Sequence, residues 1–103
     1  TIGAYYKETQ ELIGQRAYQD AIDHLNKGIE GFPDSGKLIL LRARLFRQTG
    51  KLGAAVNDFR RYLEFHPDDS YVRNEFKYVN EILELGKLDI YASTNLDLDP
   101  WLD

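Results

Sequence analysis

The sequence predicts an all-α chain wound as a right-handed helix–turn–helix solenoid, and an internal repeat is the main reason. Ala21 and Ala55 stand 34 residues apart, and so do Pro33 and Pro67, which lie in the parallel strings Phe32-Pro33-Asp34-Ser35 and His66-Pro67-Asp68-Asp69. Between these anchors Ala21-Ile22-Asp23-His24-Leu25 overlies Ala55-Val56-Asn57-Asp58-Phe59. A period of this length closed by proline marks a unit of two helices. The second observation is the helical spacing of apolar residues within each stretch. Such a unit cannot bury its apolar face alone, so consecutive units stack and leave a concave surface.

Taken in order, Ala4 to Ile13 carries Tyr5, Tyr6, Leu12 and Ile13 as a partial stripe before Gly14 interrupts it. Tyr18 to Glu30 presents Ala21, Ile22, Leu25 and Ile29 on one face, and Gly31 and Pro33 end it. Pro33 disfavours helical geometry at Phe32, while Asp34 or Ser35 can cap the next helix. That third helix spans about Lys37 to Thr49 with Leu38, Leu41, Ala43, Leu45 and Phe46 apolar, and Gly50 is its natural stop. Leu52 to Phe65 shows Ala55, Val56, Phe59, Tyr62 and Leu63, and Pro67 closes it ahead of Asp68, Asp69 and Ser70 as cap residues. The fifth helix, Tyr71 to Leu85, has two stripes: Val72, Phe76, Val79 and Leu83, and beside it Tyr71, Tyr78, Ile82 and Leu85. A terminal helix should be polar outside, so the second stripe calls for a cover. The expected organisation is one helical domain over residues 1–86, with repeats at about 2–35 and 36–69 and a capping helix at about 70–85, followed by a tail at 87–103. In that tail helical period is lost after Tyr91, and Pro100 would break it.

Composition narrows the function classes. At 103 residues the chain is long enough for one core, and 43% hydrophobic with 29% charged residues is a globular balance. A formal charge of −4 argues against a sequence-independent grip on nucleic acid. With no cysteine there is neither a disulfide framework nor a thiolate metal site, which favours an intracellular soluble compartment, cytosol or organelle lumen. No apolar run reaches membrane-spanning length and no signal peptide is visible, so direct membrane insertion is not expected. Thr1 at the start and the absence of any Met fit a fragment of a longer chain. His24 falls in a helix and His66 in a turn, with no Cys, phosphate loop or Ser/His/Asp arrangement beside them, so neither an enzyme nor a cofactor or metal site is expected.

These residues resemble a tetratricopeptide repeat protein. Ala21 and Ala55 fit the small residue early in the second helix of each repeat, Leu25 and Phe59 the bulky residue four further on, and Pro33 and Pro67 the terminal proline. Ile39, Arg42-Ala43, Phe46 and Gly50 fit the first helix and turn of the second repeat. The likeness covers about Ile2 to Leu85; Glu8-Thr9 and Tyr62 depart from it, Tyr62 standing where the first repeat has Gly28. The resemblance implies a groove lined by the first helix of each repeat, which carries over to Tyr6 and Gln10, to Lys37, Leu40, Arg44 and Arg47, and to Tyr71, Asn74 and Tyr78 of the capping helix. Independently of any family, Lys37, Leu40, Arg44 and Arg47 share one helix face. Three cations there form a positive stripe in an acidic chain, suited to an acidic peptide because Arg binds carboxylates bidentately. The alternative is a solvated helix face with the tyrosines in the core. The Lys and Asn with which some members clamp a C-terminal carboxylate are replaced by Tyr6 and Gln10, so that clamp is not matched.

From Lys87 on, four Asp oppose one Lys. Leu96, Leu98, Pro100, Trp101 and Leu102 alternate with the acids there, which suits the groove's charge. The segment is open to three readings: docking on its own molecule or a neighbour's, packing for stability, or display as a linear motif to another protein. The function expected is therefore a protein-binding adaptor, or alternatively a homo-oligomerisation module that pairs through the capping helix and tail.

Overall fold

The computed structural model describes the backbone of residues 1–96 and the side chains of residues 1–86. Five helices follow in order: α1 (Ile2–Gly14), α2 (Tyr18–Gly31), α3 (Gly36–Gln48), α4 (Leu52–Phe65) and α5 (Ser70–Leu96). Each of the first four falls within two residues of its expected bounds at either end. The caps repeat with the same 34-residue register as the prolines. Thr1 Oγ1 accepts from the Ala4 amide at 3.1 Å, Ser35 Oγ from Leu38 at 3.3 Å, and Asp69 Oδ1 from Val72 at 3.2 Å. Each satisfies one of the orphan donors at a helix start.

Helix α1 pairs with α2 and α3 with α4, while α2 packs on α3, α4 on α5, and α1 on α3. Two apolar clusters result. Ala21, Ile22, Leu25 and Ile29 of α2 meet Leu38, Ile39 and Leu45 of α3, and Ala55, Val56 and Phe59 of α4 meet Ala43 of α3 with Val72 and Val79 of α5. The repeat extends to burial at its anchor positions: Ala21 and Ala55, Leu25 and Phe59 are each 0% exposed. Thr9 holds the place of Ala43 one repeat earlier and is likewise 0% exposed, its hydroxyl donating to the Tyr5 carbonyl at 2.6 Å. That local bond is what lets a Thr serve as the small residue. Gly28 is required by contact, because a Cβ there would lie 2.9 Å from the Tyr5 ring. Tyr62, its counterpart, packs against both clusters and donates its hydroxyl to Asp69 at 2.7 Å.

A polar pair crosses each repeat at one position. Arg42 donates to both oxygens of Asp58 at 2.7 and 2.8 Å and to Asn26 Oδ1 at 3.0 Å. One repeat back, His24 Nε2 comes within 2.7 Å of Glu8 Oε2 without the alignment of a hydrogen bond.

Helix α5 differs from expectation. It runs to Leu96 rather than ending near Leu85. Gly86 costs about 1 kcal/mol relative to Ala in a helix but does not block one, and the first proline after Pro67 is Pro100. Of the tail residues singled out, Leu96 is the last residue of α5, and Leu98, Pro100, Trp101 and Leu102 lie outside the described residues.

Candidate functional site

The residues expected to line a groove stand on α1, α3 and α5. Helix α3 presents Lys37, Leu40, Arg44 and Arg47 along one side because they recur every three or four positions. Lys37 is exposed and its ammonium lies 4.4 Å from the centre of the Tyr6 ring on α1. The Tyr6 hydroxyl in turn accepts from Gln10 Nε2 at 3.2 Å. Tyr6, Lys37, Leu40, Leu41 and Arg44 line an open hollow of about 80 Å³, to which the two leucines give apolar surface. Among the described residues no carboxylate stands within ion-pair distance of Lys37.

At the other end of α3 the cations are already engaged. Arg44 donates Nε and NH2 to the two oxygens of Glu75 on α5, at 3.0 and 2.7 Å. Arg47 NH1 stands 3.8 Å from the same carboxylate, and its guanidinium lies 5.6 Å from the Tyr78 ring. The Glu75 side chain is 12% exposed against 44% for Arg44, so the acid lies beneath the arginines. Its hydrogen bond raises the Arg44 pKa, outweighing the opposing effect of burial. Arg44, Arg47, Gln48 and Glu75 line a second hollow, which shares Arg44 with the first.

The structure thus brings Tyr6, Gln10, Lys37, Leu40, Arg44, Arg47 and Tyr78 onto one continuous surface. Tyr71 and Asn74 are exposed on α5 outside both hollows. Tyr71 and Tyr78 are 72% and 55% exposed, so neither is a core residue. Sequence reasoning missed Glu75. Its partner is 31 residues away on a helix that is not its neighbour in the chain, a separation with no periodic signal.

A sequence profile described as tetratricopeptide repeat matches residues 12–74, more than half of the chain. The chain belongs to the tetratricopeptide repeat family. It is 28% identical over 76 residues to the "DnaJ protein P58IPK homolog" of Arabidopsis thaliana, covering 74% of this chain and 16% of that protein. It is also 28% identical over 81 residues to "Sperm-associated antigen 1" of Mus musculus, covering 79% of this chain and 9% of that one. With "Peptidyl-prolyl cis-trans isomerase FKBP42" of Arabidopsis thaliana the identity is 29% over 70 residues, covering 68% of this chain and 19% of the relative. The chain spans less than a fifth of each of these relatives. What is common is the repeat, a protein–protein interaction fold. No helix among the described residues is long and apolar enough to cross a membrane.

Proposed function

We propose that this tetratricopeptide repeat domain is an adaptor that holds an acidic, partly apolar segment of another protein across the α1–α3–α5 face. The observation that carries this reading is the Lys37–Tyr6 corner, where a cation without an acid partner among the described residues borders a hollow lined in part by Leu40 and Leu41. A hollow of about 80 Å³ takes one small side chain. Lys37 supplies charge for a neighbouring carboxylate, and Tyr71 and Tyr78 supply flat area of the kind enriched at recognition surfaces.

The test is selection of random octapeptides displayed on phage, with the wild-type domain and Lys37→Glu in parallel. The wild type should enrich acidic residues, and Lys37→Glu should lose that enrichment with unchanged helicity. Equal enrichment by both proteins would place the interface elsewhere. Lys37 is preferred to Arg44 as the target, since Arg44→Glu would set a second carboxylate against Glu75 and disturb the α3–α5 contact itself.

A second reading rests on the exposed stripe of α5. Tyr71, Tyr78, Ile82 and Leu85 are 72%, 55%, 36% and 59% exposed, a density of large apolar groups typical of interaction sites. In this reading two copies pair through α5. Sedimentation equilibrium distinguishes it: a mass rising with concentration, and falling back on Ile82→Glu with Leu85→Glu, supports pairing.

A further inference from the structure

We propose that Glu75 is an internal competitor that makes the groove directional: the partner's acid is read at the Lys37 end, and its uncharged residues pass over Arg47 and Tyr78. This rests on the groove reading above and specifies the partner further. Glu75 already occupies the Nε–NH2 edge of Arg44, one of the two edges through which a guanidinium grips a carboxylate bidentately. The same acid faces Arg47 at 3.8 Å. An incoming carboxylate at this end meets two cations with one negative charge fixed beneath them, so half the local attraction is cancelled. Among the described residues the neighbour of Lys37 is the face of the Tyr6 ring rather than an acid, so none of them offsets its charge.

The spacing sets the motif. Lys37 and Arg47 are ten residues apart on α3, a rise of about 15 Å, which an extended peptide covers in about four to five residues. The preferred partner has one acid beside a small apolar side chain, then uncharged or aromatic residues four to five positions away. Glu75 also ties α5 to α3, so one side chain both holds the last helix in place and sets the groove's charge.

The experiment repeats the octapeptide selection with Glu75→Gln. Wild type should enrich one acid, and Glu75→Gln should enrich a second one four to five positions from the first. For a matched pair of one-acid and two-acid peptides from these pools, fluorescence anisotropy should show less than about twofold difference on the wild type and about three- to tenfold on Glu75→Gln. Equal gain from the second acid on both proteins overturns the proposal while leaving the groove reading intact. Pools without any acid enrichment overturn both. If thermal melts show that Glu75→Gln does not fold, Lys37→Gln carries the test. It should abolish acid selection because Glu75 still holds Arg44 and Arg47, and retained selection would overturn the directional groove.

Discussion

Arg16 shows how the repeat overrides residue preference. It adopts φ 61°, and Gly50, 34 residues later in the matching turn, adopts φ 81°. Both turns close alike, Ala17 donating to Leu12 at 2.9 Å and Lys51 to Phe46 at 2.8 Å. A side chain in the left-handed region carries strain that glycine does not. Arg16→Gly is therefore expected to stabilise the domain by about 0.5–1 kcal/mol, and Gly50→Ala to destabilise it by about 1 kcal/mol. Urea unfolding midpoints check both, and a lower midpoint for Arg16→Gly would contradict the strain argument. Gly50 was legible as a stop because glycine adopts that conformation without strain. Arg16 gave no such signal, and its role emerges only from the register. Arg44 and Arg47 were legible as cations on one face, but their partner Glu75 was not, because ion pairs between distant helices leave no pattern in a single chain.

At the scale of the element, α5 depends on a cap that also titrates. The Tyr62 hydroxyl and then the Val72 amide stabilise the Asp69 carboxylate and lower its pKa from the ordinary 3.8. Its counterpart Tyr62 is raised from 10.0, first by the hydrogen bond to Asp69 and then by burial. For a carboxyl depressed on folding, the unfolded chain binds more protons in the acid range. The contribution is present above the ordinary carboxyl value and lost as pH falls through the depressed one. For Tyr62 the contribution is present below its ordinary value and lost as pH rises through the raised one. Asp69→Asn should therefore reduce stability at neutral pH and flatten its decline below about pH 4. An acid limb unchanged in slope would remove Asp69 from this role. Helix starts were legible from Ser35 and the Asp68-Asp69-Ser70 string. The end of α5 was not, since a lone Gly86 weakens a helix without specifying its end and alternating Leu and Asp blur the period.

For the whole molecule, the helix order, the small residues at Ala21 and Ala55 and the bulky ones at Leu25 and Phe59 were all readable from one offset. That holds because a solenoid repeats its contacts with its sequence. Helix α3 contributes to both apolar clusters, and Phe46 and Tyr62 pack against each, so the two repeats share one continuous core. The described residues extend 59 × 32 × 20 Å, an elongated shape. Which helices carry the groove face followed from the family resemblance. How its charges are spent followed only from the side-chain geometry, where Glu75 engages the arginines and Lys37 stays without an acid partner among the described residues.

The central claim is that this face is where a partner binds. The most direct measurement is a map of backbone amide chemical shifts in the ¹⁵N-labelled domain on titration with an octapeptide selected by the wild type. Shifts should concentrate at Tyr6, Lys37, Leu40, Arg44 and Tyr78 and saturate together at one site. Shifts confined to α2 and α4, with Lys37 and Leu40 unmoved, would contradict the account.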